Sequence, residues 1–159
     1  MAFERVKRTR KGDFLLRIPS SERELLRTLP AQLRELLTEG DAARDPALRR
    51  LFPPATMDDA AINAEFERLM GDDLLAEKLA TVATLERTVD AQRVSEDELV
   101  AWLAAINDLR LVFGVRLNVT EETTAADYDP EDPPAQLYAV YVYLTFLEDH
   151  LISALADSL

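Results

Sequence analysis

Asn107, Asp108, Arg110 and Gly114 sit in the middle of a helical run, Val94 to Val119, that is otherwise apolar almost all round and also carries Trp102 and Arg116. Polar groups in such a helix are costly unless they are paired. A guanidinium beside an amide and carboxylates can hold an acidic ligand, receive a partner's side chain, or fix the register between helices. At 100° per residue, Leu99, Trp102, Ile106, Phe113 and Leu117 form the main apolar stripe. Asn107, Arg110 and Gly114 follow one edge of it, beside Leu103. Asp108 points about a third of a turn further round, and Arg116 lies nearer the opposite side. Asp108 and Arg110 are therefore badly placed to pair, and Arg110 needs a carboxylate from another helix.

The last helix offers one. Beside its stripe of Leu137, Val140, Leu144, Leu147, Leu151 and Leu155 run Tyr138, Tyr141, Thr145, Glu148 and Ile152 at spacings of three and four. If the two helices are neighbours, Arg110 and Asn107 meet Glu148 and the tyrosine hydroxyls. A satisfied structural network is the preferred reading, and a polar groove open to a ligand or partner is the sharper one. Gly114 costs about 1 kcal/mol against alanine inside a helix, so its use there points to close approach by a neighbour.

Other chemistry-bearing groups read more plainly. Arg5, Lys7, Arg8, Arg10 and Lys11 make a basic run that suits either an anionic partner or a charge-protected edge strand, and the edge is preferred. The single histidine, His150, follows Glu148 and Asp149 with no second histidine at ligand spacing, and is expected at a surface helix end. Acidic pairs at 58–59, 72–73 and 96–97 fall at expected helix starts, where the helix dipole favours them. The segment TEETTAADYDPED, 120–132, carries six carboxylates and no basic residue, without the spacing of a calcium loop. No phosphate-binding glycine loop or nucleophile elbow is present, so no cofactor, metal or catalytic residue is expected.

Positioning these groups falls to an expected all-α, single-domain bundle with an N-terminal β-hairpin packed on it. The hairpin spans 3–18, turning at Arg-Lys-Gly-Asp through Gly12, with Phe14, Leu16 and Ile18 facing the helices. Helices occupy 20–118. The first opens on a Ser21–Glu24 capping box, should kink or split at Pro30, and stops at Gly40. Asp45-Pro46 opens a short helix with Leu48, Leu51 and Phe52 inward, ended by Pro53-Pro54. A helix over about 58–70, with Ile62, Phe66 and Leu69 inward, is expected to end at Gly71. Asp72 then caps another with apolar positions 75, 79, 82, 85 and 89. Ser95 and Glu98 form a capping box and Val94 and Leu99 a hydrophobic staple for the run described first. The acidic loop, 120–132, leads through Asp132-Pro133 into the last helix, 133–157.

With 159 residues the chain can bury one full core. The absence of cysteine excludes disulfides, thiolate chemistry and cysteine-ligated zinc in these residues. Net charge is −12, but residues 1–50 hold 12 Lys+Arg against 8 Asp+Glu, and residues 51–159 hold 6 against 22. Phosphate would be repelled by the second part, so any anionic partner should meet the N-terminal third. No secretory leader is visible in MAFERVKRTRKG, and the longest apolar run, 137–147, is short of a membrane span. A cytoplasmic location without membrane contact is the expectation.

Three segments, LRRLFPPA at 48–55, EFERLMGDDLLAEKLA at 65–80 and AWLAAINDLRLVFGVRLNVTEE at 101–122, together with the apolar C-terminal helix, resemble an actinobacterial family of domains of unknown function. The strongest element is Trp-x4-Asn-Asp-Leu-Arg followed by Gly-x-Arg-Leu: Trp102, Asn107, Asp108, Leu109, Arg110, Gly114, Arg116 and Leu117. The resemblance implies a small cytoplasmic protein, with some members labelled as transcriptional regulators. Their genes often lie near the N-degron adaptor of the Clp protease and near cysteine-biosynthesis genes. It implies no active site, and thiol-based sensing has no residue to act through here.

The leading expectation is a non-enzymatic interaction or regulatory module with a protein partner, a homodimer being one form of that. A transcription-associated regulator using the basic hairpin on DNA or an acidic partner comes second, with nucleic acid disfavoured. An enzyme built around Arg110, Glu148 and the tyrosines comes third.

Overall fold

Gly12, at φ 91°, closes the expected turn, with its N–H donating to the Thr9 carbonyl at 3.2 Å. The computed structural model describes residues 4–52 and 60–157, except for the side chains of 60–70. In it β1 (Val6–Arg8) pairs antiparallel with β2 (Phe14–Leu16), Val6 opposite Leu16 and Arg8 opposite Phe14. Alternation buries Val6, Phe14, Leu16 and Ile18 as the pattern requires. The hairpin is not alone, however. A two-residue strand, β3 (Arg93–Val94), pairs with the other edge of β2, Val94 opposite Phe14, giving a sheet of order β1-β2-β3. So short a strand has no period to read. Val94 is buried both as a sheet residue and as the apolar residue before the next helix.

Helix α1 (Ser20–Glu39) departs from expectation twice. It begins two residues earlier, with Pro19 in place of Ser21 as its cap and no side-chain capping bond. The start is held instead by the Pro19 carbonyl, which accepts from the Arg23 N–H at 3.0 Å. The Arg23 guanidinium also donates to the Ile18, Val89, Ala91 and Leu16 carbonyls at 2.9, 2.7, 3.1 and 3.1 Å. One side chain thereby ties the sheet to the end of the third helix. Second, α1 runs unbroken through Pro30, which is fully buried among Leu26, Leu29 and Leu33. Packing of that face outweighs the lost backbone bond. Gly40 ends the helix as expected. A Cβ there would collide with the Leu36 carbonyl and lie 2.8 Å from Leu48 Cδ2.

Asp45 caps α2 (Pro46–Leu51), accepting from the Ala47 N–H at 3.0 Å, and Ala47, Leu48 and Leu51 are buried. Phe52 is half-buried against the same core. The expected stop at Pro53-Pro54, and the inward set Ile62, Phe66 and Leu69, lie outside the described residues. The two helices expected to meet at Gly71 are one, α3 (Ala60–Thr88). Gly71 has open space around its Cα, so nothing there forces a turn, and Asp72 caps nothing. A glycine costs a helix about 1 kcal/mol without ending it. Beyond it, Leu75 and Leu79 are half-buried and Val82, Leu85 and Val89 buried, as their spacing requires.

α4 (Glu96–Leu117) carries the full capping box: Ser95 Oγ accepts from the Glu98 N–H at 3.1 Å, and Glu98 Oε1 from the Ser95 N–H at 2.8 Å. It ends at Asn118, at φ 53°, a residue that tolerates the left-handed region. A one-turn 3-10 helix (Ala125–Asp127) interrupts the acidic loop before α5 (Pro133–Ala156). α4 is the hub, with α5, α3 and α2 packed on different sides of it. That placement explains why it is apolar all round. The architecture is a helical bundle with its sheet against one end of α1 and α5.

Candidate functional site

The polar side chains of α4 are shared out among its three neighbours, α3, α2 and α5. Towards α3, Trp102 is fully buried and donates its indole N–H to Thr88 Oγ1 at 2.7 Å, while Thr88 donates to the Thr84 carbonyl. Also towards α3, Asp108 receives Lys78 Nζ on both oxygens at 3.0 Å, with both side chains largely buried. Burial pushes the Asp108 carboxyl above its usual 3.8 even though Lys78 pulls it down. Towards α2, Arg116 grips Asp45 with two bonds of 2.6 and 2.8 Å. That grip, helped by the Ala47 N–H and opposed by burial, holds the Asp45 carboxyl down at about 2.

Towards α5, Arg110 meets Glu148, the pairing expected from helix geometry, with Nε 2.6 Å from Oε2. This is an ion pair by distance, without a well-aligned N–H···O bond, and Nε itself is shielded from water. Asn107 Oδ1 accepts from Arg110 Nη2 at 3.3 Å. Gly114 serves as anticipated: an added Cβ would lie 3.3 Å from Tyr141 Cε2, tighter than an ordinary contact. Tyr138 takes no part in the Arg110 pair. Its ring stacks on Tyr128 at 4.9 Å and faces Tyr141 at 6.1 Å, and its hydroxyl donates to the Thr123 carbonyl at 3.4 Å.

Arg110 keeps 27% of its side chain exposed and Glu148 13%. Beside them opens a groove of about 580 Å³ lined by Arg50, Arg110, Gly114, Asn118, Thr120 and Tyr141. The cluster is therefore an ion pair between α4 and α5 with one side open to water. Asp108 and Arg116 do not join it, as their positions on the helix required.

The basic run divides. Arg5 is committed to Glu22, with bonds of 2.9 to 3.2 Å, and lies over the Phe146 ring at 5.3 Å. Burial pushes the Glu22 carboxyl up, but bonding from Arg5, helped by the proximity of the Tyr143 hydroxyl, holds it below its usual value. The Tyr143 hydroxyl is shielded from water without a well-formed hydrogen bond, and burial with the Glu22 charge pushes it upward. His150 is not at an exposed helix end. It is half-buried, its ring 4.4 Å from that of Phe146, and Nδ1 accepts from the Arg5 N–H at 3.4 Å. Lys7, Arg8, Arg10 and Lys11 are exposed. The first three line a groove of about 680 Å³ whose opposite wall includes Asp149 and Asp157. Carboxylates facing the cations weaken that surface for phosphate. Among the described residues no group of three metal-ligating side chains occurs.

Lys78, Asp45, Thr88 and Arg23 were not legible as partners. Lys78 had one signal: it is the only lysine after residue 11, beside the apolar positions 75, 79 and 82.

The domain of unknown function DUF2017 matches residues 2–155. The chain belongs to this family. The oxidative stress regulator AosR of Mycobacterium bovis is 30% identical over 131 residues, covering 72% of this chain and 60% of that protein. The protein of the same name from Mycobacterium tuberculosis H37Rv gives the same figures. AosR of Mycobacterium leprae is 32% identical over 136 residues, 73% of this chain and 62% of the relative. The chain thus spans under two thirds of the length of these relatives. No solved structure matches it.

Proposed function

We propose that this chain is a regulatory protein without catalysis of its own, acting by contact with another protein in a response to oxidative stress. The observation that carries the reading is the contrast along its family motif. Trp102, Asp108, Arg110 and Arg116 are all consumed in ties to Thr88, Lys78, Glu148 and Asp45. A motif spent on scaffold leaves function to the surface, where α5 presents Leu137, Val142 and Ile152 at 39 to 47% exposure. By length and composition α5 is apolar enough to cross a membrane, and only 22% of its most apolar window is buried. Yet Leu144, Leu147 and Leu151 are fully buried in the core, so it serves as a bundle helix with an uncovered side. Exposed apolar surface of that kind marks interaction sites.

The relatives' shared name supports the regulatory class and the stress. With no cysteine in these 159 residues, an oxidant signal reaches this chain through its partner rather than through a thiol of its own. Committed Arg5, and carboxylates opposite Lys7, Arg8 and Arg10, favour a protein over DNA. Transcript profiling after peroxide, in a strain lacking the chain and in the complemented strain, tests the reading. A peroxide response altered by the loss and restored by complementation is expected; an unchanged profile overturns it.

A further inference from the structure

Where α5 meets the acidic loop, Tyr128, Pro130, Ala135, Tyr138, Ala139 and Val142 enclose an open groove of about 370 Å³ with almost wholly apolar walls. The Tyr138 hydroxyl is turned away to the Thr123 carbonyl, and stacking of Tyr128 on Tyr138 holds the loop side of the groove in place. The floor is thus formed before any partner arrives, and Val142 stands 47% exposed in it.

Charge decides what fits. From Leu117 to Leu159 the chain has nine Asp and Glu and not one Lys or Arg. Asp127, Asp129, Glu131 and Asp132 are exposed at the loop, next to groove residues Tyr128 and Pro130, and none is ion-paired among the described residues. An apolar slot rimmed by unneutralised carboxylates is complementary to apolar anchors flanked by cations. A two-fold dimer through this groove would bring the same acidic loop, on a chain of net charge −12, against its like. Anionic lipid is repelled for the same reason.

We propose that this groove docks a basic amphipathic segment of a partner protein, its apolar side chains entering beside Val142 and its Lys or Arg residues meeting the acidic loop. This names the surface for the regulator reading above and rests on it. The slot is small, so the contact is of the weak, transient class.

The test titrates the isotope-labelled full chain with three synthetic peptides of equal length, followed by backbone amide shifts. One is a leucine–arginine amphipathic helix, one its scrambled version, and one the same helix with glutamate for arginine. The first should bind at least tenfold more tightly than either control, with shifts centred on Tyr128, Ala139 and Val142. Val142→Asp should weaken it tenfold or more with an unchanged melting temperature. Asp129→Asn with Glu131→Gln should weaken it severalfold and flatten its salt dependence. Equal binding of the scrambled peptide would reduce the site to bulk charge and overturn the proposal. So would concentration-dependent shifts at Val142 without peptide, which assign the groove to a second copy, or binding to phosphatidylserine vesicles through the same residues. If Val142→Asp fully restores the peroxide response in the deletion strain, the groove fails while the regulator reading stands. An unaltered response in the deletion strain sinks the reading whatever the peptides do.

Discussion

α4 and α5 are both apolar on nearly every side, yet the fold treats them oppositely. α4 is enclosed by α2, α3 and α5, and Trp102, Asp108, Arg110 and Arg116 survive burial because each finds a partner on one of those neighbours. α5 is covered along one stripe, and Val142 and Ile152 remain outside it. An apolar surface thus says how much area wants covering, while topology says whether the chain itself provides the cover. In α4 the excess is structural. In α5 part of it stays exposed.

Several substitutions would break or sharpen that contrast. The largest effect should come from Trp102→Ala, which empties a fully buried site and orphans Thr88. A loss of roughly 3–5 kcal/mol is expected in denaturant unfolding. Next is the Lys78–Asp108 pair. Asp108→Leu alone strands a buried ammonium and should cost about 3 kcal/mol, whereas Lys78→Met with Asp108→Leu should recover most of it. An additive double variant would show instead that the two side chains are not coupled and act through other contacts.

A smaller effect separates the surface end of α4. The Asp45 carboxyl is depressed in the fold from 3.8 to about 2. Its stabilising contribution is therefore complete above the unfolded value and is lost as the pH falls through the folded one. Asp45→Asn keeps the cap on Ala47 but removes the charge pairing with Arg116, and should flatten the loss of stability over that interval by less than about 1 kcal/mol. Asp108 has the opposite sign. Raised by burial, it stabilises fully below 3.8 and loses that contribution as the pH rises. Least of all, Val142→Asp should move stability by no more than about 0.5 kcal/mol, because that side chain stands 47% exposed outside the core. A cost as large as that of a core residue would place α5's outer face within the scaffold and erase the contrast.

Much of this was legible in the residues. The Ser95–Glu98 box, the Gly12 turn, the Gly40 stop and the inward positions of α3 follow from local rules that act within a few residues. The Arg110–Glu148 pair was also legible, because each residue lies beside the main stripe of its helix and Glu148 and Asp149 are the only carboxylates within α5. Local rules failed where packing overrode them. Pro30 and Gly71 looked like breaks, but an unbroken helix runs through each. Lys78, Asp45 and Arg23 were invisible as partners because their ties cross 30, 71 and up to 68 positions of sequence. His150 looked peripheral because its cover comes from Arg5, at the other end of the chain.

By itself the sequence determined the helical bundle, the hairpin, the direction of each polar residue on α4, and a carboxylate-rich C-terminal third without Lys or Arg after Arg116. Those properties depend on residue type, helical phase and charge, which are properties of short stretches. Only the tertiary structure decided that the motif helix is a hub whose polar groups are spent, and that α5 keeps an apolar face uncovered beside the acidic loop. Burial depends on which elements come together, and no local period records that.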